Sequence, residues 1–380
     1  MGFCWLTALV ERRALTRTGA HRREHARGML GAMSTPPPPH DDDDANAENG
    51  AHADNASHPE HGSRTATAFA IAATLAAGVG VATQSRINGE LGQRLDDGYT
   101  AALISFGSGW LILLTILAFS PRGRAGMARV ITEVRHGRLA WWVLLGGLAG
   151  GYFVLAQGLV AGMLGVAIFT IAIVTGQTVT GLTLDAAGFA GARRTAIAPA
   201  RVIGAVLTIA AVAVAVVPRL GTAGFPAAAV LLPLLAGVAV AFQQGLNGRV
   251  RAEARSALAA TTINFTVGTA ALAGATVVHL LAAGLPEALP SNPLLYLGGA
   301  VGAIFIAIQT VTVGRIGVLV LGLCLVTGQL AASLVFDVVA PLGPGSTSAT
   351  AVAVVLALAG VLVASIRWRR GAGGATRPSA

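Results

Sequence analysis

Residues 146–185 read GGLAGGYFVLAQGLVAGMLGVAIFTIAIVTGQTVTGLTLD, and residues 298–337 read GGAVGAIFIAIQTVTVGRIGVLVLGLCLVTGQLAASLVFD. At an offset of 152 they agree at 14 of 40 positions, among them Gly146/Gly298, Gln157/Gln309, Thr175/Thr327, Gly176/Gly328, Gln177/Gln329 and Asp185/Asp337. Alanine and glycine match by chance in such a chain; Gln, Thr and Asp inside apolar runs do not keep matching at one spacing. A second stretch repeats at an offset of 159, where Gln84, Asn88, Gly89, Ala101, Ile104, Phe106 and Gly109 fall on Gln243, Asn247, Gly248, Ala260, Ile263, Phe265 and Gly268. The chain reads as two copies of one unit.

Both copies are nearly free of charge. The 380 residues include 26 basic and 17 acidic ones, 11% in all, against ~25% in a soluble globular protein. Hydrophobic residues make up 54%, and mean hydropathy is +0.69. So few charges cannot cover a water-soluble fold of this size, which excludes a soluble enzyme and a disordered protein. Two cysteines, Cys4 and Cys324, make no disulfide framework and no metal pattern. The fold class is therefore an all-α polytopic membrane protein. Residues 1–65 differ: Arg, His, a Pro36–Pro39 run and an Asp41–Asp44 run predict a disordered cytoplasmic tail.

A membrane helix needs ~20 mostly apolar residues. Ten such spans are expected, at 66–84, 99–119, 140–160, 164–184, 200–218, 227–246, 258–283, 294–313, 316–338 and 349–366. They group into a first five-helix repeat over 66–218 and a second over 227–366, with a basic cytoplasmic tail at 367–380. Turns are expected at Ala161–Met163 and Gly314–Arg315. With the amino terminus inside, the inner connections hold 16 Arg and the outer ones only Arg86, Arg94 and Arg219; there is no Lys. That bias places both termini in the cytoplasm. Five is odd, so the second copy enters from the opposite side, making an inverted repeat suited to alternating access.

Several of these residues resemble a known family. Gln84-Ser85-Arg86-Ile87-Asn88-Gly89-Glu90-Leu91, Ala101 to Phe106, Trp141-Trp142 to Gly150-Gly151, and Thr175-Gly176-Gln177 before Asp185 look like the YdcZ-type inner membrane exporters of the drug/metabolite transporter (EamA-like) superfamily. The second copy carries the same signs at Gln243 to Asn247, Ile263-Asn264-Phe265 and Thr327-Gly328-Gln329 to Asp337. The resemblance covers about residues 66–368. It implies ten helices as five plus five, a central cavity lined by the first four of each half, and fifth helices at the periphery. Export as the direction of transport comes from it alone.

Polar residues inside spans need partners and often mark a transport route. Gln84 and Asn88 share a helix face near the outer end of their span, as do Gln243 and Asn247 near the inner end of theirs; each pair reads as a gate or substrate contact, or as an Asn capping its own helix. Gln177 and Gln329 sit nearest the membrane centre, where a carboxamide can donate and accept, or could join helices. Gln157, Gln309, Ser105 and Asn264 are further cavity candidates. Asp185 and Asp337, the carboxylates within spans, are candidates for proton coupling, with a boundary carboxylate in interfacial water as the alternative. His279 has no repeat mate.

The function expected is a secondary transporter of the cell membrane exporting a small organic metabolite or drug. The partners expected are lipid, a small-molecule substrate and a second copy through the peripheral helices, with no nucleic acid and no cofactor. No Walker motif provides for ATP. Neither a Gly-x-Ser-Gly frame nor a His-Glu-x-x-His pair suggests an intramembrane enzyme, and a scaffold would not need two exchangeable halves.

Overall fold

The computed structural model describes residues 60–189, 198–220, 225–286, 288–342 and 348–365. Two compact units divide the chain, residues 1–68 and 69–380. Of the first, only residues 60–68 are described, the opening turns of α1 (Glu60–Leu95). The rest of the expected amino-terminal tail, and residues 367–380, lie outside the described residues.

In hydrocarbon each backbone N–H and C=O must be bonded within its own segment, and the described part of the second unit is helical, with no strand. After α1 come α2 (Gly98–Ala118), α3 (Pro121–Arg135), α4 (Gly146–Ala156), α5 (Val166–Ala187), α6 (Pro199–Val216), α7 (Leu231–Ala254), α8 (Ala257–Ala283), α9 (Gly298–Val339) and α10 (Ser348–Ala364). Among the described residues eight helical segments are long and apolar enough to cross a membrane, and Gly298–Gln309 and Ser348–Ala364 are shorter apolar helices. Only 22% to 61% of each segment's most apolar window is buried inside the protein. The exposed remainder, with Leu111, Val206, Ile209, Val278 and Leu281, is a surface that water would not support and lipid does.

Element bounds differ from the sequence-based ones for identifiable reasons. α1 and α7 run on past Gly89 and Gly248, to Leu95 and Ala254. Gln84, Asn88, Gln243 and Asn247 are thus helix-interior residues, and neither Asn caps its helix. Gly89 and Gly92 are packing contacts rather than breakers: a Cβ on either would strike the backbone at Gly162 or Gly158. The break after α4 falls at Gly165, not at Ala161–Met163, because Gly165 takes φ +84, a conformation open to glycine. A π-helical turn, Gln157–Ala161, precedes it.

α9 stays helical from Gly298 to Val339, through the expected Gly314–Arg315 turn, yet it is not straight. A straight helix would hold Gly298 and Gly328 about 45 Å apart. Both lie against α1, Gly298 on the Gln84 amide and Gly328 on the Leu75 carbonyl. Between them Thr312 bonds to Thr74, and beyond them Arg86 donates to the Ala340 carbonyl. The first part of α9 therefore runs antiparallel to α1 and the last part parallel to it.

Helix contacts come in reciprocal sets. A Cβ on Gly78 would overlap the Leu325 carbonyl, and one on Gly237 the Ile173 carbonyl; Gly328 meets the Leu75 carbonyl and Gly176 that of Leu234. Gly299 meets the Ser105 carbonyl, Gly147 that of Asn264. Gly204 and Gly360 face each other's carbonyls where α6 and α10 cross. Phe106 and Phe265 stack across the middle, centroids 4.2 Å apart. Even the turns match: Asp96 and Arg255 both take φ +50, and each is followed by a helix cap. Asp97 accepts from Tyr99 N and Thr100 N, and Ser256 from Ala259 N.

Residues 121–135, expected as a connection, form the amphipathic helix α3. Ser120 caps it by accepting from Gly123 N, Pro121 opens it, and it buries Gly123, Gly126 and Val130 against the α7–α8 turn. From α3, Arg129 Nε and Nη2 donate to the Ala254 carbonyl, closing the end of α7.

Where α5 crosses α7, no side chain fits. Gly176→Val should cost about 3 kcal/mol or more by overpacking and yield little folded protein on size-exclusion chromatography. Gly181→Ala, in open space, should leave yield and melting temperature unchanged.

Candidate functional site

A cavity of ≈ 540 Å³ lies between α1, α2, α4, α5, α7, α8, α9 and α10, within the size range of small-molecule sites. Of the residues singled out in the sequence, Gln84, Gln243, Asn247 and Asn264 line it, as do Gln177, Gln309 and Gln329. The cavity runs toward the α7–α8 turn and the end of α10, reaching Asn247, Thr261 and Ser365.

Gln84 Nε2 donates to the Gly298 carbonyl at 3.0 Å, tying α1 to the start of α9. On the other side Gln243 Nε2 donates to Asn264 Oδ1, and Asn264 Nδ2 donates to Asn247 Oδ1, both at 3.1 Å. Asn264 thus bridges two helix-interior carboxamides. Its repeat mate Ser105 is shorter and makes no such bridge; among the described residues the Ser105 hydroxyl is buried without a partner.

Three sequence candidates do not reach the cavity. Ser105 is buried beside Gly298, and Asn88 and Gln157 are wholly buried. Asn88 Nδ2 donates to Gln157 Oε1 at 2.7 Å, and Gln157 Nε2 donates to Ser85 Oγ at 2.9 Å. The π-helical turn adds an extra residue to the helix where Gln157 stands, as such turns often do at functional positions. Asn88 Oδ1 has no partner among the described residues. Ser85, Asn88 and Gln157 thus bond to one another and are absent from the cavity lining.

Asp337 is also buried, 3% exposed. Its carboxylate accepts from Val166 N at 2.8 Å and Ala167 N at 2.9 Å, and so caps α5 from across the molecule. Asp185 lies on α5, but its side chain is outside the described residues. His279 lies away from the cavity, Nε2 3.4 Å from Asp97 Oδ1 and its ring stacked on Tyr99.

The sequence analysis missed Gln244, Thr178 and Phe153 among the lining residues. Phe153 could have been found, since it repeats as Phe305, also in the lining. Gln244 and Thr178 could not, since their repeat mates are Ser85 and Leu330.

Apolar outer helix faces around an internal cavity lined by carboxamides set among apolar side chains define a helical membrane protein with room for a small solute. A family model described as "Putative inner membrane exporter, YdcZ" matches residues 69–214 and again 228–364, and the chain belongs to that family. Inner membrane protein YdcZ of Escherichia coli (strain K12) is 33% identical over 117 residues, which are 30% of this chain and 73% of that protein. That relative is thus close in length to one matched segment. The protein is a multi-pass protein of the inner membrane, and its family is one of exporters.

Removing the Asp337 carboxylate strands two buried N–H groups. Asp337→Ala should lower stability by about 2 kcal/mol or more, a fall in melting temperature of roughly 4 °C. Asp337→Asn keeps one acceptor and should fall between the two in a detergent melting series.

Proposed function

We propose that this protein is a secondary transporter that exports a small organic solute across the inner membrane by alternating access between two inverted five-helix halves. If α9 supplies two passes and each other apolar helix one, counting Trp141–Leu164 as a single span, there are ten. The reciprocal glycine contacts support this reading, since a pseudo-two-fold exchanges partner for partner. The twofold family match and the length of the Escherichia coli relative support it too. With both termini in the cytoplasm, Arg249, Arg251, Arg255 and Arg315 fall on the inner side, and the cavity faces inward.

One observation carries the mechanism. Ser85, Asn88 and Gln157 close on one another, while their repeat mates Gln244, Asn247 and Gln309 line the open cavity. Two halves of one fold thus hold different shapes at once. If they trade shapes, the second triad closes and the first opens outward. The sealed triad is not overstabilised: among the described residues Asn88 Oδ1 is buried without a partner, costing about 1–3 kcal/mol that entering water would relieve. Gln177 and Gln329 contact the solute from the two halves. Asp337 is the candidate for proton coupling among the described side chains, because protonation would weaken its hold on α5; Asp185 is its proposed mate in the opposite state. A scaffold needs neither a carboxamide-lined cavity nor an asymmetric pair of triads.

The full chain in sealed vesicles, offered a broad metabolite panel, should move at least one compound. Gln177→Ala with Gln329→Ala should cut that flux at least tenfold while folded protein remains. In a chain without Cys4 and Cys324, a cysteine replacing Gln309 should react with an impermeant thiol reagent from the cytoplasmic side. One replacing Gln157 should stay protected until Asn88→Ala exposes it from outside. Equal reactivity of both positions from one side contradicts alternating access. Asp337→Asn should retain flux but lose its response to a pH gradient.

A further inference from the structure

The chemistry of the lining narrows what the cavity can hold. Eight carboxamide side chains line it, and no charged side chain is among the described ones that do. Gln177 and Gln329 face it from α5 and α9, Gln244 and Asn247 from α7. A carboxamide donates through nitrogen and accepts through oxygen, so this lining can meet either kind of polar group but offers no full countercharge. Between the amides stand Phe153, Phe305 and the stacked Phe106–Phe265 pair, which offer flat apolar contact. A fixed charge there would leave water without an ionic partner, a transfer that neutral dipoles compensate only in part. A solute that both donates and accepts loses little, because each bond to water is replaced.

We infer that the cavity selects an uncharged solute of small-drug size that carries hydrogen-bond donors and acceptors beside a flat apolar face, an aromatic amide or lactam being the plainest example. This rests on the transporter reading and specifies its cargo. Such a solute feels no force from the membrane potential, so any potential dependence of flux would belong to a coupled ion. The position of the charge boundary is set by residues within the cavity, so one substitution should move it. Gln177→Glu places a carboxylate among the amides and should turn preference toward cations.

The test uses the purified full chain in lipid nanodiscs and measures equilibrium binding of charge triads built on shared skeletons: benzamide, benzoate and benzamidinium, with their naphthalene and biphenyl homologues. The neutral member of at least one triad should bind at least tenfold more tightly than both charged members, and Gln177→Leu with Gln329→Leu should weaken it tenfold. In the Gln177→Glu variant, benzamidinium or its homologue should gain at least tenfold. A charged member binding as tightly as its neutral mate, or no binding by any neutral member, overturns the inference. Vesicle flux separates this from the reading beneath it: movement of a charged compound only would leave a transporter with the wrong cargo assigned, whereas no flux of any compound counts against transport itself.

Discussion

Lipid gives helices no hydrophobic reason to associate, so what holds this bundle is how closely its backbones can approach. Each crossing that fixes its shape is a place where even a methyl group would overlap a carbonyl oxygen: Gly78 with Gly328, Gly176 with Gly237, Gly204 with Gly360. Those points leave the large side chains to face lipid or one another, and the space between crossings is the cavity. The polar groups there face inward because they have nowhere else to find partners.

Symmetry of the crossings and asymmetry of the polar contacts coexist in one molecule. Backbone contacts repeat partner for partner between the halves, whereas the carboxamides do not. Asn88 pairs with Gln157, but Asn247 pairs with Asn264. The π-helical turn lies in the first half at Gln157–Ala161, while the equivalent stretch of α9 stays α-helical. The framework is thus shared, and the polar contacts set on it differ.

The membrane class was legible because the signal lay in composition, and the clustering of polar residues was legible in part because such residue types cost energy in lipid. Seven of the named polar candidates line one cavity although they are scattered over the chain. Boundaries were less legible. Gly89 and Gly248 look like stops in a one-dimensional reading, but they are places of close approach or open space inside continuing helices. The helix α3 went unread because its pattern is amphipathic and its apolar face is short. Burial of Asn88 and Gln157 was unreadable too, since nothing in the sequence separates a carboxamide bonded to another carboxamide from one facing solvent. The role of Asp337 was hidden for a related reason: its partners are backbone N–H groups 171 and 170 residues away.

Scaffold and lining are assigned to different residues. The glycines at the crossings take almost no part in the cavity wall, and the side chains of Gln177, Gln244, Gln309 and Gln329 face the cavity, although the backbone N–H groups of Gln177 and Gln329 lie at two of the crossings. Descendants of this chain can therefore exchange one wall residue for another without reshaping the bundle. Cargo preference is free to drift across a lineage far faster than architecture, and two members alike in outline can serve unrelated compounds.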